Sequence, residues 1–328
     1  MENTNISMEE MQRSNEIIKK ITDYYSARIV GQKKLKTSLL ISLIANEHIL
    51  VESVPGLAKT TAAKVLTDSC GGKFSRIQCT PDLLPSDIIG TQTYNAKENE
   101  FEIKIGPVCA NFVLLDEVNR SSSKTQSAML EAMQERQISI GGKRFKLPEI
   151  FIVIATQNPI EQEGTYLLSE AQQDRFLIKE LLKYPSAEDE LEVLNRIENN
   201  VFEKKEKVVD LEDIKYIQDL SNKVYMDETV KKYVVSIVAA TRKPEKIIKP
   251  EFAKYIVNGA STRASIAFMK ASKALALLNG RTYVTPDDIK DVSKSILRHR
   301  IALSFEALAD DVKVEKIIDE IIASIKAP

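Results

Sequence analysis

The sequence predicts an α/β domain built on a parallel sheet, followed by a helical domain. Five short apolar runs, HILVE (48–52), KFSRIQ (73–78), FVLLD (112–116), IFIVIAT (150–156) and FLIKEL (176–181), have the length of strands. Several are apolar on both faces rather than alternating. Helical patterns such as TTAAKVLTD and SKTQSAMLEAMQERQ lie between them, the texture of a sheet covered on both sides. Beyond KYPSAEDE (183–190) the strands cease and helical periodicity takes over.

In chain order, Ile17, Ile18, Ile21, Tyr24 and Tyr25 give Met8–Tyr25 one apolar helical stripe, and a second helix is expected over 32–46. Within the strand region two alternating stretches around polar turn residues, YNAKENEFEIKIG (94–106) and QISIGGKRFKLP (137–148), read as β-hairpins projecting from the sheet. Helices are then expected near 187–199, 211–223, 227–242, 262–279, 285–298 and 312–326. The last but one has a clear start: Thr285 can cap it, Pro286 needs no N–H at the first position, and two acids fill its first turn. The boundary falls near Tyr184, giving domains 1–184 and 185–328.

Composition narrows the function. The chain has 328 residues, 43% of them apolar and 28% charged, as in folded two-domain proteins. With 46 Lys plus Arg against 47 Asp plus Glu, no overall positive excess is available to hold nucleic acid or an acidic membrane. Cys70, Cys79 and Cys109 form no C-x-x-C, and His48 and His299 are the only histidines, so neither a disulfide framework nor a zinc site is supported. No apolar run reaches the ~18 residues of a membrane span. A cytoplasmic location is expected.

The chemistry starts at VESVPGLAKTT (51–61). It follows the phosphate-binding pattern G-x-x-x-x-G-K-[ST], except that Ser53 and Ala58 stand where the glycines belong. A strand, a turn with Pro55 and Gly56, and a helix from Lys59 form the context in which backbone N–H groups and the helix's positive end converge on an anion. Lys59 would reach the β- and γ-phosphates, and the Thr60 hydroxyl would ligate Mg²⁺. Ala58 fits such a loop if its φ is negative, and Ser53 can hydrogen-bond the turn. The same residues also describe an ordinary strand–turn–helix with a surface lysine.

FVLLDEVNR (112–120) ends a buried strand in two adjacent acids. Asp116 can hold the water shell of Mg²⁺, and Glu117 can orient and deprotonate an attacking water. Side by side at a strand end, such carboxylates need a cation or solvent. In IVIATQNP the strand ends in Thr156, Gln157 and Asn158, whose amide can contact that water or the γ-phosphate; a turn residue before Pro159 is the alternative.

With these residues in place the chain resembles the MoxR family of AAA+ ATPases, from RIVGQ (28–32) to RTYVTPDDI (281–289). TPDLLPSDIIG (80–90), DEVNRSSSKTQSAMLEAMQERQ (116–137), ATQNPIEQEGTYLLSEAQQDRF (155–176) and GASTRA (259–264) also resemble family motifs. The family loop is typically G-V-P-G-[LT]-A-K-T, so Ala58 fits it and Ser53 departs. The resemblance implies an AAA+ P-loop NTPase core, with a five-stranded parallel sheet sandwiched by helices and two β-hairpin inserts, plus a C-terminal all-helical lid. It implies ATP and Mg²⁺, with Ser53, Val54, Pro55, Gly56, Leu57, Ala58, Lys59, Thr60 and Thr61 forming the phosphate loop and Val30 and Gly31 beside the adenine. Thr60 and Asp116 would serve the metal, Asp116 and Glu117 would be the Walker B pair with Glu117 its catalytic carboxylate, and Asn158 the first sensor. Arg175 would be an arginine finger offered across a subunit interface, worth about 10³ to 10⁵ in rate, or else a surface partner of Asp174 or Glu170. Arg263 would be the second sensor, carrying the presence of the γ-phosphate into lid position, and Arg120 a further contact in trans.

The resemblance further implies a ring, with a hexamer expected, a protein client, and a partner carrying a von Willebrand factor A domain. The activity is ATP hydrolysis used for chaperone-like maturation, cofactor insertion or complex assembly. Two rivals stay open: a DNA-remodelling ATPase, given Lys143, Arg144 and Lys146 at a hairpin tip, and a non-hydrolysing nucleotide switch, given Ser53.

Overall fold

The computed structural model describes residues 6–159, 166–198 and 206–328. Positions 160–165, inside the ATQNPIEQEGTYLLSEAQQDRF block, and position 199, the end of the helix expected at 187–199, lie outside the described residues.

Two helices precede the sheet. α1 (Met8–Arg28) opens on a capping box, in which Ser7 accepts from Glu10 N–H while the Glu10 carboxylate accepts from Ser7 N–H. It buries the stripe Ile17, Ile18, Ile21, Tyr24 and Tyr25. α2 (Lys33–Ala45) ends at Asn46, which takes the left-handed conformation.

The core then runs β1 (Ile49–Glu52), α3 (Lys59–Cys70), β2 (Phe74–Gln78), α4 (Pro85–Ile89), and a hairpin of β3 (Gly90–Asn95) and β4 (Glu100–Ile105). After β5 (Phe112–Asp116) come α5 (Ser123–Glu135), a second hairpin of β6 (Gln137–Ile140) and β7 (Lys143–Lys146), β8 (Ile152–Gln157), α6 (Glu170–Gln173) and β9 (Ile178–Leu181). Five of these strands form one sheet in the order β2-β5-β8-β1-β9, with every pairing parallel. β5 shows why the strand sequences are apolar throughout. Phe112 and Leu114 enter an apolar cluster with α1, α2 and α3, whereas Val113 and Leu115 enter a second cluster with Met129, Leu130 and Met133 of α5.

The first hairpin starts at Gly90, ahead of the expected position 94. The two hairpins meet at glycines. Gly141 in the second turn lies against the Gln92 side chain of the first hairpin, and its φ of 56° is a conformation that glycine adopts without strain.

The C-terminal half contains α7 (Ala187–Glu198), α8 (Leu211–Lys223), α9 (Glu228–Arg242), α10 (Pro250–Ala253), α11 (Thr262–Leu278), α12 (Pro286–Leu297), α13 (Phe305–Ala309) and α14 (Val314–Ser324). α12 begins as expected: Thr285 caps it by accepting from Asp288 N–H, Pro286 is its first residue, and Asp287 and Asp288 fill its first turn. The expectation that strands cease after 184 needs correction. β10 (Ile256–Asn258) pairs antiparallel with β11 (Ala302–Leu303), a ladder too short to leave a period in the sequence and fixed by the packing around it. α8 and α11 pack directly on α1 and α2, so the helical half shares one apolar cluster with a face of the sheet. No described helix is long and apolar enough to cross a membrane.

Candidate nucleotide site

Because all five strands run the same way, everything that follows a strand collects at one edge of the sheet. The chain leaves β1 at Glu52, β5 at Asp116 and β8 at Gln157, and the register sets Glu52 beside Gln157. Ser53 extends that ladder, its N–H donating to the Gln157 carbonyl at 3.1 Å. Its hydroxyl turns inward and donates to the Val54 carbonyl at 3.0 Å, bracing the turn from within. Leu57 is buried beneath the loop, whereas Pro55, Gly56, Ala58 and Thr61 are exposed and Val54 and Thr60 partly so.

Two residues of the loop take positive φ: Gly56 at 83° and Ala58 at 55°. The expectation of a negative φ at Ala58 is therefore wrong. A turn this tight between strand and helix requires the left-handed conformation at the position before Lys59, and the alanine accepts it. No atom lies within 4 Å of where a Gly56 Cβ would point. α3 starts at Lys59 with no side chain capping its first N–H groups, which leaves those donors for an anion. The Lys59 ammonium folds back to donate to the Ser53 carbonyl at 3.4 Å.

The acid pair is held by four neighbours, Thr156, Arg76, Gln78 and Arg120. Asp116 accepts from the Thr156 hydroxyl at 2.8 Å through one oxygen and from the Arg76 guanidinium at 2.6 Å through the other. Thr156 Oγ1 in turn accepts the Glu117 N–H at 2.8 Å, joining the two strand ends. Glu117 has a left-handed backbone, φ 58°, and its carboxylate accepts from Gln78 Nε2 at 3.2 Å and pairs with Arg120 at 3.1 Å. Asn158 is buried beside them, its carbonyl accepting from Asn119 Nδ2 at 3.5 Å.

The 29–32 turn reaches the same edge. Gln32 Nε2 donates to the carbonyl of Lys183, just past β9, and Gly31 has φ 63° with the Asp189 carboxylate 2.6 Å from where a Cβ would sit. Val30 and Gly31 thus flank the side of the loop bounded by β9.

Arg175 and Arg263 are elsewhere. Both line a cleft of about 390 Å³ with Glu47, Arg136, Asp174 and Lys270. Glu47 precedes β1 and Asp174 precedes β9, so the cleft lies at the sheet edge where strands begin. Strands of this length separate the two edges by on the order of 13 Å or more. Arg175 donates to the Leu130 carbonyl at 3.1 Å, and its Nε is buried without a hydrogen-bond partner. Arg263, at the start of α11, lies 3.6 Å from Asp174, which also accepts from Ser261 and from the buried Arg300. Within one chain, neither arginine reaches the loop.

The donors fit a magnesium–nucleotide. Among the described residues no cluster of three or more His, Cys, Asp or Glu side chains could hold a metal ion. Mg²⁺ asks for less, since it is commonly held by one or two protein oxygens together with substrate phosphates; Thr60 and Asp116 are of that kind. Arg76, Gln78, Thr156 and Asn119 were not foreseen. Arg76 and Gln78 stand two apart in a strand paired with the acid-bearing one, so both lie on one face, and that spacing was visible in KFSRIQ.

Loop, acids and amide after three adjacent parallel strands, with a helical domain behind, define a P-loop ATPase of the AAA class. Residues 48–178 match the profile of the ATPase family associated with various cellular activities, and residues 252–321 match the AAA lid domain. The chain is 45% identical to Chaperone MoxR1 of Mycobacterium tuberculosis over 92% of its own length and 79% of that protein's. It is 43% identical to YeaC of Bacillus subtilis over 95% of both chains. The crystal structure of a candidate ATPase from Cytophaga hutchinsonii superposes with a TM-score of 0.89 at 45% identity, covering 98% of this chain and 97% of that one. The chain belongs to the MoxR family of AAA+ ATPases.

Proposed function

We propose that this chain hydrolyses ATP with Mg²⁺ in a ring of identical subunits, a hexamer, and that the cycle drives chaperone-like maturation of a protein client. The carrying observation is the convergence of the Lys59–Thr60 loop, the Asp116–Glu117 pair and Asn158 on one sheet edge. The name of the Mycobacterium relative, a chaperone, supports the client-directed part. Insertion of a metal or cofactor, or assembly of a complex, fits this work, as do a von Willebrand factor A domain partner and a cytoplasmic setting.

In this reading the loop N–H groups and Lys59 hold the β- and γ-phosphates. Bound magnesium supplies charge neutralisation between those phosphates. Thr60 and Asp116 hold the metal, Glu117 takes the proton of the attacking water, and Asn158 fixes its direction. Val30 and Gly31 take the adenine side. Arg175 and Arg263 act on the nucleotide of the neighbouring subunit, because their cleft opens on the edge away from their own loop. The core (1–184) and the helical lid (185–328) are the moving parts. Steady-state ATP turnover of the purified oligomer, with and without Mg²⁺, tests the assignment. We expect Mg²⁺-dependent turnover that Lys59→Ala lowers by about 10²-fold or more. Turnover no faster than that of Lys59→Ala would remove the enzyme from the account.

A further inference from the structure

The geometry points to Arg76 as a counter-ion that competes with magnesium for Asp116, so that an arginine on the neighbouring strand sets how strongly nucleotide binding depends on the metal. This rests on the reading of Asp116 as a magnesium-side carboxylate. The Arg76 Nη2 group donates both to Asp116 at 2.6 Å and to the Gln78 side chain at 3.0 Å, which fixes the guanidinium against the acid. The other Asp116 oxygen is engaged by Thr156. A hydrated cation that uses Asp116 must therefore share it with a positive charge already in contact.

The two partners differ in freedom. The Asp116 side chain is 11% exposed and tied to the strand ends through Thr156, whereas the Arg76 side chain is 49% exposed and can swing into solvent. Metal arrival thus displaces the arginine and leaves the aspartate in place. Nearby, Arg120 pairs with Glu117, Lys179 pairs with Glu52, and Lys59 donates to the Ser53 carbonyl. A half-exposed ion pair adds little to folding, so stability alone gives no reason for a guanidinium at this carboxylate.

The test is the affinity of the full-length protein for a fluorescent ADP analogue, measured in Mg²⁺ and in EDTA. For wild type the ratio of the two affinities exceeds one. In Arg76→Ala it rises by about three- to tenfold, as expected when one screened like charge is removed from beside a divalent ion. Arg76→Gln, which removes the charge but keeps a donor, follows Arg76→Ala, and Arg76→Lys stays near wild type. A ratio in Arg76→Ala and Arg76→Gln equal to or below that of wild type overturns the proposal, because Arg76 would then merely orient or decorate the strand. A wild-type ratio of one overturns the reading of Asp116 itself, and the proposal with it.

Discussion

Ala58 is where this loop is most strained. An L-residue at φ 55° costs about 1–2 kcal/mol relative to its preferred conformations, and glycine would carry no such cost there. Ala58→Gly should therefore raise stability by about 1 kcal/mol, less what the glycine adds to unfolded-chain entropy, with nucleotide binding retained. Urea unfolding measures it, and a destabilised variant would show that the methyl packs favourably enough to offset its strain. The functional pattern at this scale was legible because a strand, a turn and the Lys59–Thr60 pair sit in consecutive positions. Arg76 and Thr156 were harder to see. Their roles come from register between strands distant in sequence, Gln78 opposite Asp116 and Ala155 opposite Leu115, which no local window carries.

At the scale of elements, each strand delivers different business to its two ends. His48, just before β1, links three elements at the strand-start edge: its Nδ1 accepts the Val153 N–H at 3.1 Å, so its Nε2 carries the proton and donates to the Met133 carbonyl at 3.2 Å. Burial pushes its pKa down from 6.5 to about 4, and His299, donating to the Phe176 carbonyl, is likewise pushed well below its ordinary value. The unfolded chain takes up these protons near pH 6.5, while folded His48 resists until about 4. Stability is thus fully present above pH 6.5 and falls as pH drops toward 4, by on the order of 3 kcal/mol for His48 alone. Chemical denaturation at pH 7.5 and pH 5 checks it; equal stability at the two values would mean the imidazoles are not held neutral. α1 was readable from its apolar period and α12 from its start signals. The β10–β11 ladder was not, since a two- or three-residue pairing is decided by the elements packed around it.

At the scale of the molecule, the phosphate loop occupies one sheet edge and the Arg175–Arg263 cleft the other. In the reading proposed above, the arginines offered at one edge serve the loop at the other through a head-to-tail contact, and head-to-tail contacts that close make rings. Under the same proposal Arg263, held beside Asp174 and Ser261 at the start of α11, reports a neighbour's nucleotide to its own lid. The sequence located both arginines in recognisable motifs, and Arg175 falls just before β9, but the edge Arg263 occupies depends on how α11 docks on α2, a tertiary fact.

The most direct measurement mixes two inactive variants. Arg175→Ala keeps its own Glu117 and lacks the arginine it would lend; Glu117→Gln binds ATP without hydrolysing it and keeps Arg175. Combined at equal amounts, with mixed rings verified by native mass spectrometry, they should recover activity well above the sum of the parents, approaching about a quarter of wild type for random placement around a closed ring. Mixed rings no more active than the two variants measured apart would contradict catalysis shared across the subunit interface.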